Sequence, residues 1–120
     1  MRRPPTNEEL VTRFADAVIM QTFCIWHGDA KTGNRHAKRY IAAFEKLRER
    51  GDEGRDALKV LFEHENPDVR TSAAAFLLRH CTEEALAVLR EAAAGKGLVS
   101  FEAGQAIKRW EEGTWALDPV

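Results

Sequence analysis

The chain has 120 residues, 44% of them hydrophobic and 31% charged, with a formal net charge of -1 and an isoelectric point near 6.4. That balance fits one soluble domain able to bury a core without metals or disulfides. It excludes a global electrostatic pull toward nucleic acid or a membrane, so any recognition by charge has to be local.

No run of about 20 apolar residues is available to span a bilayer. The opening MRRPPTNEEL lacks the apolar stretch of a secretory leader. Cys24 and Cys81 are too few for a disulfide scaffold and both lie in apolar helical surroundings, so the expectation is a reduced, cytoplasmic protein.

Glycine and proline divide the chain into six helical segments, with Gly51 to Gly54 as one of the dividing turns. No stretch alternates β-branched and polar residues for long enough to predict a strand. The first helix is expected from about Asn7 to His27, capped by Thr6 or Asn7, with Glu8 and Glu9 where the helix dipole favours them. Leu10, Val11, Phe14, Val18 and Ile25 form its apolar stripe. A second helix follows over about Thr32 to Arg50 with Ala37, Tyr40, Ile41, Phe44 and Leu47 inward. The third spans about Asp52 to His64 and buries Leu58, Leu61 and Phe62. The fourth opens on Pro67, a favoured first-turn proline, and runs to about Cys81. The fifth covers Glu83 to about Ala94 behind a Thr82 cap, and the sixth about Val99 to Glu112.

An internal repeat organises these helices. ALKVLFEH (Ala57 to His64) and ALAVLREA (Ala85 to Ala92) share Ala, Leu, Val, Leu and Glu at equivalent places. The following helices align Val69 with Val99, Ala73 with Ala103 and Leu77 with Ile107. A helix-turn-helix unit of about 30 residues repeated side by side is the pattern of an α-solenoid.

At NPDVRTSAAAFLL the chain resembles the HEAT-like repeat family: a proline opening the second helix of a pair, Asp-Val-Arg after it, then paired alanines and a leucine. Val69, Ala73 and Leu77 point to the companion helix, and the small Ala73 and Ala74 permit close approach of two helix axes. The resemblance implies that Asp68 and Arg70 act as structural glue between neighbouring units. An arginine in a first turn opposes the dipole, so Arg70 should reach away toward carbonyls or carboxylates. The second copy departs from the pattern, with Ser100 in place of Arg70 and added bulk at Phe101 and Trp110, as expected of a terminal repeat closed by EEGTWALDPV.

Nearly the whole chain is similar to a small bacterial HEAT-like family of unassigned function, through LRERGDEGRDAL, NPDVRTSAAA and GLVSFEAGQAIKRW. The expected fold is therefore all-α, a single domain over 1–120 built as a right-handed superhelix of about three antiparallel hairpins at 7–50, 52–81 and 82–113.

Chemistry-bearing groups are sparse. Cys24 and His27 share one side of a helix end and His80 adjoins Cys81, but the spacing matches no established zinc pattern. A catalytic cysteine usually needs a helix N-terminus, whereas Cys81 falls at a C-terminus. There is no phosphate-binding glycine loop, HExxH or GxSxG. The expectation is no enzyme, no cofactor and no metal.

The surface offers more. If the second helices of the hairpins line one concave face, it carries Arg35, Lys38 and Arg39, then Ser72, Ala75 and Arg79, then Gln105, Lys108 and Arg109. Such a basic stripe suits an acidic protein partner, and a solvated face balanced by Glu45, Glu49 and Glu53 is the bland alternative. The absence of interleaved aromatics counts against single-stranded nucleic acid. Ile19, Phe23 and Trp26 form a second apolar cluster off the main stripe, which calls for cover from another helix or from a second chain in a homodimer. The expected function is a small protein-interaction module binding an acidic partner. The alternatives are a toxin-neutralising immunity protein, a nucleic-acid binder using the same stripe, and a lyase-like helper.

Overall fold

The computed structural model describes residues 3–115, 117 and 118. Six α-helices follow in order: α1 (Asn7–Trp26), α2 (Ala30–Glu49), α3 (Asp52–Leu58), α4 (Pro67–Phe76), α5 (Thr82–Ala93) and α6 (Leu98–Glu111). A 3₁₀ stretch, Lys59–Glu63, continues α3, and no strand occurs among the described residues. The chain divides into two compact units, residues 1–61 and 62–120. The expected middle hairpin at 52–81 straddles that division, with α3 belonging to the first unit and α4 to the second.

The first unit is an antiparallel pair plus a short third helix. Thr6 caps α1 through a bond from the Glu9 amide to its hydroxyl, 3.1 Å, and Asp29 caps α2 by accepting from the Thr32 amide at 3.1 Å. The tight turn at 27–29 forces α2 back along α1, and the register is pinned at three levels. Arg50 donates to the Asn7 side chain at 2.7 Å and to the Pro5 carbonyl at 2.6 Å. Midway, Tyr40 meets Phe14 edge to face with centroids 5.5 Å apart and donates to Gln21 at 3.3 Å. At the turn end, Gly33 is buried against the β-carbon of Cys24. Leu10, Phe14, Val18, Phe44, Leu47 and Leu58 fill the core and are almost completely buried.

At the α2–α3 corner, Gly51 takes φ 74°, the left-handed conformation that lets a helix end sharply. Gly54, expected in the same turn, lies instead inside α3 and is buried. The Leu47 carbonyl occupies the place where its β-carbon would stand. Any side chain there would separate α3 from α2.

The second unit packs α4, α5 and α6 around Ala74, Leu78, Ala85, Leu89, Ala103 and Ala106, with Trp110 and Trp115 leaning on that cluster. Four of these six residues are alanine, which is why the helices can approach closely. Val69, Ala73 and Leu77 are fully buried.

Helix α4 is shorter than its apolar run predicts. It stops at Phe76, and residues 77–80 form turns. Cys81 is the N-cap of α5, and Thr82 donates back to the Leu78 carbonyl at 2.7 Å rather than capping α5. The tail folds onto this unit: the Trp115 indole donates to the Ala75 carbonyl at 3.1 Å, and Arg79 Nε donates to the Asp118 carbonyl at 2.5 Å. Positions 116, 119 and 120 of the predicted closing tail lie outside the described residues. No described helix is long and apolar enough to cross a membrane.

Candidate functional site

The basic residues expected on one face are distributed over the two units. Arg35, Lys38 and Arg39 lie on α2 in the first; Arg79, Gln105, Lys108 and Arg109 belong to the second. In the second unit Arg79 is occupied by the tail. Gln105 and Arg109 share a shallow recess with Phe101, Glu102 and Trp115, and Lys108 is exposed. A carboxylate in that recess dilutes its positive charge.

The first unit concentrates it. A groove of about 340 Å³ runs between α1 and α2, with Leu10, Ala42 and Ala43 as its floor and Arg13, Arg39 and Lys46 on its rims. All three rim side chains are cationic, and among the described residues no carboxylate lines the groove. The floor is shallow because Ala42 and Ala43 are small, so the long basic chains stand above it. Arg39 Nη1 donates to His36 Nδ1 at 2.9 Å, which steadies the guanidinium and leaves its other N–H groups for a ligand.

Arg35, Arg39, Ala42 and Lys46 follow one another at spacings of four, three and four, a single stripe along α2. Near its start, Arg35 stands close enough to Asp29 to act on it. The Asp29 carboxyl is held below its ordinary value of 3.8, chiefly by hydrogen bonds from the Thr32 side chain and amide, with Arg35 adding to them.

Arg13 and Lys46 do not belong to the site expected from the sequence. The signal was present: Arg13 follows Leu10 by three residues and so borders the apolar stripe of α1, while Lys46 extends the 35–39–42 row. Reading the cations of each helix separately conceals that Arg13 of α1 and the basic row of α2 face the same groove.

Arg70 is settled by geometry. Its Nη1 donates to the His64 carbonyl at 2.7 Å and to the Glu65 carbonyl at 3.1 Å, clamping the loop that leads into α4. Asn66 caps the same helix by accepting from the Asp68 amide at 2.8 Å and the Val69 amide at 3.4 Å. The carbonyls that Arg70 reaches are therefore those of its own preceding loop.

Asp68 sits above its ordinary carboxylate value because burial penalises its charge. Glu102 of α6 is raised by desolvation first and then by the neighbouring Asp68, although the residue as a whole is exposed. The sulfur and imidazole groups are placed locally. Cys24 is buried, Cys81 Sγ contacts the Leu77 carbonyl at 3.6 Å, and His27 Nδ1 lies 2.8 Å from the Phe23 carbonyl.

Fold and surface together define an all-α protein of two compact helical units, with a basic cleft between α1 and α2 of the first. A family model described as Domain of unknown function (DUF2019) matches residues 8–110, and the chain belongs to that family. No curated protein and no solved structure gives a significant match.

Proposed function

We propose that this chain is a non-catalytic interaction module of HEAT-like type that binds an acidic protein segment along the α1/α2 groove. The helical pairs, the internal repeat and the buried Val69, Ala73 and Leu77 support the HEAT-like reading. The observation that carries the binding reading is the groove itself, three cations over an apolar floor with no lining carboxylate among the described residues. Isolated surface charges are normally balanced by neighbours of opposite sign. Here the N-terminal part of α2, KTGNRHAKR, contains no acid at all.

A strand or irregular segment with spaced Asp and Glu side chains fits this geometry. Its backbone rests on Ala42 and Ala43 while its carboxylates meet the rims, Arg39 by the bidentate geometry open to guanidinium groups. Lys31, Arg35 and Lys38 extend the positive field toward the start of α2 and favour fast encounter.

The test is fluorescence anisotropy with a labelled acidic peptide of about twelve residues, long enough at roughly 3.3 Å per residue to follow α2. The wild-type chain is expected to bind, and the Arg13→Glu, Arg39→Glu, Lys46→Glu variant to lose at least about tenfold in affinity, or about 1.4 kcal/mol. Equal binding by the two proteins refutes the groove. Tighter binding to a duplex DNA than to the peptide transfers the site to nucleic acid.

A further inference from the structure

The outer face of α1 carries apolar surface that none of the described residues covers fully. Phe23 is 56% exposed, Trp26 73% and Met20 42%, while Ile19 beside them is half-buried. Using the areas typical of such side chains, the three exposed residues offer on the order of 400 Å² to solvent. The surface is also ordered. The Phe23 ring stacks on His27 with centroids 4.1 Å apart and planes 25° apart, and His27 Nδ1 lies 2.8 Å from the Phe23 carbonyl. An aromatic held in one orientation loses little conformational entropy when it is buried by a partner.

The residues on this face are complementary to themselves when the helix is turned antiparallel. Asp16, Met20, Phe23 and His27 follow at intervals of four, three and four, so they form one stripe along α1. That interval is a palindrome centred between Met20 and Phe23. Turned end over end about this centre, the stripe superimposes Phe23 on Met20 and His27 on Asp16. We infer that the α1 face is an isologous dimer interface, in which two copies of this chain pair through antiparallel α1 helices.

In this register each Phe23 packs on Met20 of the second copy. Each Trp26, offset to one side of the stripe, lies over Ile19 of the second copy. Asp16 meets His27 of the second copy at both ends, a carboxylate opposite an imidazole. Both ends are satisfied at once because a two-fold axis repeats every contact.

The area is adequate. Two copies together withdraw about 800 Å² of apolar side chain from water, and homodimer interfaces are about 65% apolar, which implies a total of about 1,200 Å², the lower bound of specific interfaces. The dimer is accordingly a weak one, and it does not rest on the acidic-segment reading, since Arg39 and Lys46 of the groove belong to α2.

Sedimentation equilibrium of the full chain tests this. Wild type should show a reversible monomer–dimer equilibrium below about 200 µM, and Phe23→Glu should weaken it by at least about tenfold with unchanged helical circular dichroism. The register has its own test. Asp16→Lys and His27→Glu should each weaken self-association, and an equimolar mixture of the two variants should associate again, because the ammonium introduced in one copy then meets the carboxylate introduced in the other. A variant that merely misfolded would not recover on mixing. A wild-type chain that stays monomeric, a dimer that survives Phe23→Glu, or variants that do not recover on mixing overturns the proposal and gives the face to a different occupant.

Discussion

Gly54→Ala sets two quantifiable effects against each other at one atom. Alanine is favoured over glycine in a helix interior by about 1 kcal/mol, so propensity alone predicts that the substitution stabilises α3. The tertiary structure predicts the reverse. A β-carbon at Gly54 would stand 2.7 Å from the Leu47 carbonyl carbon, and closer still to its oxygen. Ordinary contact begins at 3.4 Å, so α3 must retreat by at least 0.7 Å (3.4 less 2.7).

The obstructing atoms are backbone and cannot turn aside, and Leu58 on the same helix is completely buried. Overpacking of this kind costs up to about 3 kcal/mol, which leaves a net loss of up to about 2 kcal/mol once the propensity gain is subtracted. For 120 residues that loss corresponds to a fall in melting temperature of up to about 8 °C. Urea titration by far-UV circular dichroism reads it directly. Gly104→Ala is the control: Gly104 lies inside α6 with open space around the position of its β-carbon, so there the propensity gain of about 1 kcal/mol should appear unopposed. A Gly54→Ala protein as stable as wild type would refute the close approach as a constraint on the α2–α3 corner.

Two further outcomes follow from the second unit. Arg70→Met keeps the aliphatic stem but removes the donors to the His64 and Glu65 carbonyls; because those carbonyls can turn partly to water, the expected loss is about 1.5 kcal/mol. A loss below about 0.5 kcal/mol in the same urea assay would remove Arg70 from the stabilising contacts. The raised carboxyls of Asp68 and Glu102 make stability depend on pH in a stated direction. The folded chain holds these protons more tightly than the unfolded chain, so their contribution is present at low pH and is lost as pH rises through the folded values. On acidification from pH 7 to about pH 4, down toward the ordinary values of 3.8 and 4.5, wild type should therefore gain stability relative to an Asp68→Asn, Glu102→Gln variant. Parallel urea midpoints for the two proteins at both pH values would contradict the desolvation argument.

The helices and their inward faces were legible in the sequence because both depend on local chemistry. Thr6 precedes Glu8 and Glu9, Pro67 follows Asn66, and the apolar residues recur every three or four positions, so caps and buried stripes follow from neighbours a few residues away. The pattern failed where the partner surface decides. Ile25 continues the apolar stripe of α1 yet is 46% exposed, because α2 has already turned back at Gly28 and Asp29.

Helix α4 ends at Phe76 although Leu77 and Leu78 continue its apolar run: both are fully buried from a turn instead of a helix. Gly54 carries no periodicity, so its place beneath the Leu47 carbonyl could not be read from any window of residues. The groove shows the same division. The basic row of α2 is written in the sequence, but Arg13 joins it only because Leu10, Phe14 and Val18 dock α1 against α2 and leave Arg13 on the shared rim. Periodicity fixes which side of a helix is apolar, whereas the neighbour that side meets depends on contacts between residues far apart in the chain, and those contacts bring the charges of two helices to one cleft.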